Sequence, residues 1–191
     1  MSGTILIVPG LHGSAEGHWQ SWWRQDDSDA VLVEQSDWSN PDTDGWLATL
    51  ERAVLAHPHA LLVAHSLGAV LTARLAQSPV APLVAGALLV APADIERTGT
   101  LNGRYYEFGA MPTGGLPFPS ILVVSRNDPY MPHEKALELG ASWGSEIHDL
   151  GEAGHVNIES GFGRWTQAYA LASTLQRASS ASVSGRFRLS Q

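Results

Sequence analysis

Five short runs of unbroken apolar residues recur along the chain: Thr4-Ile5-Leu6-Ile7-Val8, Val31-Leu32-Val33, Ala60-Leu61-Leu62-Val63-Ala64, Ala87-Leu88-Leu89-Val90 and Ile121-Leu122-Val123-Val124. A strand that is buried on both faces needs apolar side chains at every position, so such runs predict strands of a parallel sheet covered on two sides. Ser145-Glu146-Ile147-His148-Asp149-Leu150 alternates polar and apolar instead, which predicts a shorter, half-exposed edge strand. Between the runs, apolar residues fall at helical spacing. Trp19, Trp22 and Trp23 mark one face, and Trp46, Leu47, Leu50 and Val54 mark another, following Asp42-Thr43-Asp44, whose oxygens can cap a helix. Leu67, Val70, Leu71 and Leu75 form a third face, and Trp165, Ala168, Tyr169, Ala172 and Leu175 a last one. Pro132 to Leu139 suits a helix with Glu134 in its first turn. Strand alternating with helix predicts an α/β fold: a doubly wound, mostly parallel sheet of about six strands, with helices on both faces and right-handed crossovers.

Two stretches lack either period. Residues 93–119 are rich in Gly and Pro and contain Tyr105, Tyr106 and Phe108; they have the length of a loop or small flap and are too short for a large cap domain. Residues 178–191 are Ser-rich, end near Arg186 and Arg188, and are expected to be a poorly ordered tail after a single domain spanning residues 1–177. Composition narrows the field further. The 191 residues carry a net charge of −8, which repels a phosphate backbone and argues against a nucleic-acid partner. There is no cysteine, so disulfides, thiolate metal sites and cysteine nucleophiles are all excluded. No apolar run approaches the length of a membrane span, and no basic then apolar leader precedes the first strand, so a cytoplasmic location without membrane attachment is expected.

The chemistry gathers at the ends of the apolar runs, where an open parallel sheet collects its reacting groups. The third run passes into a helix with almost no loop, at Ala64-His65-Ser66-Leu67-Gly68. That is one residue from the nucleophile elbow G-x-S-x-G, with Ala64 in place of the first glycine, and it lifts the Ser66 hydroxyl above the sheet. A serine hydroxyl is a weak nucleophile at neutral pH and needs a base beside it. His155, between Gly154 and Val156-Asn157, follows the edge strand and suits that role. A carboxylate behind the imidazole would fix its tautomer; Asp128, after the fifth run, is assigned there, with Asp94, after the fourth, as its rival. The order Ser66, Asp128, His155 is the chain order of α/β-hydrolases. Donors for an oxyanion are expected from the backbone N–H groups of Leu67 and of Leu11, just past Pro9-Gly10. His12 either lines the site or braces that loop. His65, turned away by the elbow, reads as a packing or hydrogen-bonding residue, and His18, His57, His59, His133 and His148 as surface or support. No metal site is expected, because Asp42-Thr43-Asp44 reads as a cap and no His-x-x-x-His pair exists. Gly10-Leu11-His12-Gly13-Ser14 matches neither phosphate-binding loop pattern. Trp19, Trp22 and Trp23 could be core or a ligand platform.

Several motifs taken together resemble the small α/β-hydrolases related to retinoblastoma-binding protein nine. They are Val8-Pro9-Gly10 with Ser14 and His18-Trp19-Gln20, Asp37-Trp38 with Pro41 and Trp46, the Ser66 elbow, and Leu89-Val90-Ala91-Pro92. Ser125-Arg126-Asn127-Asp128-Pro129 and Gly154-His155-Val156-Asn157 with Gly161-Phe162-Gly163 complete the set, so the resemblance runs from about Ile5 to Leu175. It implies a reduced α/β-hydrolase sheet without the first strands of the full fold, and Ser66, Asp128 and His155 as nucleophile, acid and base. The expectation is a cofactor-free serine hydrolase acting on small-molecule carboxylic esters through an acyl-enzyme. The alternative is a non-catalytic protein-binding module on the same scaffold.

Overall fold

A computed structural model describes residues 3–98 and 108–188. Six strands form one sheet in which every neighbouring pair is parallel: β1 (Ile5–Val8), β2 (Ala30–Leu32), β3 (Leu61–His65), β4 (Gly86–Val90), β5 (Ser120–Val124) and β6 (Glu146–Asp149). Their spatial order is β2-β1-β3-β4-β5-β6. The chain therefore steps from β1 outward to β2, then crosses back and proceeds the other way from β3. The loops leaving β1 and β3 diverge, and the crevice between them lies at the carboxyl ends of the strands, where such sheets place ligands.

Each central strand divides its side chains between two cores because alternate residues point to opposite faces. Leu6, Val8, Leu62, Ala64, Leu89, Leu122 and Val124 pack on one side with α2 (Thr43–Ala56), α3 (Leu67–Arg74) and α5 (His133–Trp143). Ile5, Ile7, Leu61, Val63, Leu88, Val90, Ile121 and Val123 pack on the other with α1 (Trp19–Asp26) and α6 (Thr166–Arg188). A one-turn helix, α4 (Ile95–Thr98), follows β4. Trp19 and Trp23 are buried in the second core, which resolves those two toward packing, while Trp22 is half-buried beneath the Arg164 guanidinium. Asp42 caps α2 through a hydrogen bond from Gly45 N–H, as the polar cluster before that helix suggested.

Three boundaries differ from the sequence reading. β2 is centred one residue earlier, on Ala30–Leu32, and β6 is trimmed to Glu146–Asp149. α6 continues through residues expected to form a poorly ordered tail, as far as Arg188; adding a residue to a helix that is already nucleated is far easier than starting one. The described part of 93–119 is mostly tied down away from the crevice. Arg74 donates to the carbonyls of Phe108 and Ala110 at 2.7 Å each, Trp143 Nε1 donates to Pro112 O at 2.9 Å, and Leu116 N donates to Trp143 O at 3.0 Å. Tyr105 and Tyr106 lie outside the described residues. Among the described residues, no helix is long and apolar enough to cross a membrane.

Candidate active site

The turn between β3 and α3 consists of Ser66 alone, at φ 56° and ψ −121°, a backbone region L-residues seldom occupy. Two close approaches make small residues necessary around it. A Cβ on Gly68 would overlap Val8 O and come within 2.5 Å of Pro9 O, so α3 can begin against β1 only with glycine there. A Cβ on Gly10 would lie 2.8 Å from Ser66 Cβ and 3.1 Å from Leu67 N, so the loop after β1 rests directly on the elbow. Ala64, one turn of the pleat earlier, is fully buried, its backbone paired with β1 and β4 and its methyl group packed in the core on the α2 and α3 face.

The loop after β6 carries His155 to Ser66. His155 Nε2 lies 2.8 Å from Ser66 Oγ, and its Nδ1 lies 3.0 and 2.9 Å from Asp128 Oδ1 and Oδ2. Asp128 Oδ1 also accepts from Tyr130 N at 2.8 Å, which orients the carboxylate. Both side chains are almost wholly buried, and the Tyr130 ring meets His155 edge-on with centroids 4.6 Å apart. The bond to a carboxylate places a proton on Nδ1, leaving Nε2 bare to receive one from Ser66. Asp94, the rival carboxylate, is buried elsewhere: its Oδ1 accepts from Lys135 Nζ at 2.8 Å and from Glu96 N at 3.1 Å.

The backbone of the histidine loop is itself gripped by side chains. Ser160 Oγ accepts from His155 N at 3.0 Å, and Asn127 Oδ1 accepts from Gly154 N at 2.7 Å and from Ser125 Oγ at 3.0 Å. Ser125 Oγ in turn accepts from Ala153 N at 3.0 Å. His65 Nε2 donates to His155 O at 2.8 Å, which makes it the hydrogen-bonding residue the elbow geometry suggested. Burial, and then the neighbouring His155 and His18 rings, hold the His65 imidazole well below its ordinary pKa, so it stays neutral.

A cleft of about 500 Å³ opens above Ser66. The loop after β1 contributes Gly10 to Gly13 and Ala15 to its lining, the loop after β6 contributes His155 and Asn157 to Glu159, and His18, His65, Ala93 and Tyr130 add to it. His12 lines the cleft with φ 65°, and its backbone N–H donates to Trp38 O at 2.8 Å. The N–H groups of Leu11 and Leu67 find no acceptor among the described residues. Among the described residues of the 93–119 stretch, Ala93 lines the cleft. No group of three or more metal-ligating side chains occurs among the described residues.

His18, grouped with surface and support residues from sequence, is buried and lines the cleft. Asn127, Tyr130 and Ser160 were also unmarked. Proximity of Asn127 to Asp128 and of Ser160 to His155 was the one available signal, since a loop that must present a side chain has to fix its own backbone.

A family model described as serine hydrolase matches residues 5–174. Among solved structures, a protein of Pectobacterium atrosepticum described as a YdeN-like hydrolase is 32% identical, with a TM-score of 0.78 over 91% of this chain and 90% of that one. The ydeN gene product of B. subtilis is 18% identical, with a TM-score of 0.74 over 92% of this chain and 100% of that one. Est1E of Butyrivibrio proteoclasticus, in a structure with ferulic acid bound, shares the fold at 12% identity, with a TM-score of 0.63 over 96% of this chain and 90% of that one. No curated protein matches the sequence. The fold is that of the α/β-hydrolases, without a large cap among the described residues.

Proposed function

The chain belongs to the serine hydrolase family, and from that premise we propose that it cleaves small carboxylic esters through an acyl-enzyme on Ser66. The observation that carries this reading is the pair of hydrogen bonds in series, Ser66 Oγ to His155 Nε2 and His155 Nδ1 to Asp128. Ser66 Oγ attacks the ester carbonyl carbon while His155 Nε2 takes its proton, and Asp128 stabilises the imidazolium so formed. The carbonyl oxygen becomes an oxyanion, for which the N–H groups of Leu11 and Leu67 are the available donors; each such donor is worth about 2.7–4 kcal/mol to the transition state. Collapse breaks the bond to the alcohol, which leaves with the proton held by His155. Water, deprotonated by His155 in turn, then attacks the acyl carbon and releases the acid and free Ser66.

A cleft of about 500 Å³, walled in part by Gly10, Gly13, Ala15 and Ala93, favours a short acyl group over a long chain. Nothing in this chemistry calls for a cofactor. The motif pattern around Ser66, Asp128 and His155 supports a place within the family beside the small hydrolases related to retinoblastoma-binding protein nine. Turnover of p-nitrophenyl acetate tests the reading. Wild type should hydrolyse it and Ser66→Ala should lose roughly 10⁶-fold in kcat. Asp128→Asn should lose roughly 10³- to 10⁴-fold, and Asp94→Asn far less. Folded wild type without turnover would favour the non-catalytic binding module, and a greater loss in Asp94→Asn would move the acid to the end of β4.

A further inference from the structure

His18 is the N-cap of α1, and the imidazole does the capping: its Nδ1 accepts from Gln20 N–H at 3.2 Å. A nitrogen that accepts carries no proton, so the neutral ring must hold its proton on Nε2. Burial, reinforced by the nearby His155, lowers the His18 pKa to about 4, so this tautomer persists throughout the neutral range. Nε2 has no acceptor among the described residues, and it is not among the buried side-chain atoms sealed from solvent without a partner. The ring, 6% exposed, lines the cleft that holds Ser66, and that remaining exposure opens there. A polar donor fixed in orientation, nine-tenths buried and without a protein acceptor is bonded to cleft water in the free enzyme and is available to an acceptor on the ligand that displaces that water.

Its location says which part of the ligand. The His18 ring packs against His65 with centroids 5.0 Å apart, the His65 ring packs against His155 at 4.9 Å, and His18 lies within electrostatic reach of His155. His155 returns its proton to the leaving alcohol, so the alcohol half of an ester lies on the His155 side of the scissile bond, and His18, joined to His155 through the His65 ring and lining the same cleft, is the donor assigned to that half. The donor brings no positive charge to offset an anion, and Glu159, which also lines the cleft, disfavours an anionic group, so an uncharged oxygen is the acceptor that fits.

We infer that His18 is a specificity-determining residue whose Nε2–H donates to a second, uncharged oxygen on the leaving alcohol, so that the preferred substrates are esters of alkoxy- or hydroxy-alcohols. This rests on the ester-hydrolase reading above. The measurement is kcat/KM for 2-methoxyethyl acetate and n-butyl acetate, which differ by one ether oxygen in place of a methylene. The quantity read is their ratio, which cancels any common loss. Two variants separate donor from cap. His18→Ser keeps an oxygen able to cap α1 but cannot reach the position of Nε2; His18→Gln places an amide N–H near that position and gives up the cap.

The ratio in wild type should exceed that in His18→Ser by about 3- to 10-fold, the worth of one neutral hydrogen bond, and His18→Gln should stay close to wild type. An equal ratio in wild type and His18→Ser overturns the inference while turnover of the butyl ester leaves the hydrolase reading standing. A ratio lost in His18→Gln but kept in His18→Ser also overturns it, because that ranking is the one expected of a helix cap alone. Folded wild type that hydrolyses neither ester overturns both.

Discussion

Ser66 holds a left-handed backbone conformation that would ordinarily cost about 1–3 kcal/mol, and its neighbours explain how it persists. Ser66 N–H donates to Val90 O at 3.0 Å, α3 begins at the next residue, and Gly10 closes over its Cβ. Beside it the two buried histidines are held neutral, and this has a consequence for stability. The folded-state pKa of His18, about 4, lies below the ordinary imidazole value of 6.5, and that of His65 is lowered as well. Between those values the unfolded chain binds protons that the folded protein refuses. The stability these rings contribute is therefore complete above pH 6.5 and is lost as pH falls toward 4, about 3 kcal/mol over that window for His18 alone. Urea midpoints taken from pH 7 to pH 4.5 should fall, and fall less steeply in His18→Gln. Equal slopes in the two proteins would mean that the His18 ring is not held neutral by the fold.

The elements differ in how plainly the sequence announces them. β1, β3, β4 and β5 are legible because burial on both faces demands an apolar residue at every position, and the elbow is legible because Gly68 leaves α3 room against Val8 and Pro9. The order of Ser66, Asp128 and His155 is legible for a related reason: each follows its own strand. The histidine loop is different. Its shape comes from Ser160, five residues away, and from Asn127, Ser125 and His65, whose contacts with it span 27 to 90 positions of sequence, a separation no local pattern records. The cleft lining is hidden for the same reason: Asn157, Ile158 and Glu159 join it from the loop after β6, without any sequence pattern that marks them as lining residues. The α6 continuation was hidden because Ser-rich composition signals only weak helix preference. Asn127 gives this element its test. Asn127→Ala removes the acceptor for Gly154 N and Ser125 Oγ, so His155 should lose its register on Ser66. The expected result is a kcat lowered by about 10- to 100-fold with KM nearly unchanged. A change confined to KM would show that Asn127 acts on substrate rather than on the loop.

At the scale of the molecule, strand order explains why these parts meet. With β1 beside β3 and the chain leaving them in opposite directions, the Gly10-Leu11 backbone, the Ser66 elbow and the N-terminus of α3 converge in one crevice. β5 and β6, neighbours in the sheet, deliver Asp128 and His155 to the same end. The crevice is thus a property of the topology, and the chemistry proposed for it depends on one residue. The most direct test is covalent: the folded protein is treated with a fluorophosphonate and the modified peptide is located by mass spectrometry. One adduct is expected, on Ser66, lost in Ser66→Ala and strongly slowed in His155→Ala. A folded wild-type protein that stays unlabelled, or one labelled on another serine, would contradict that expectation.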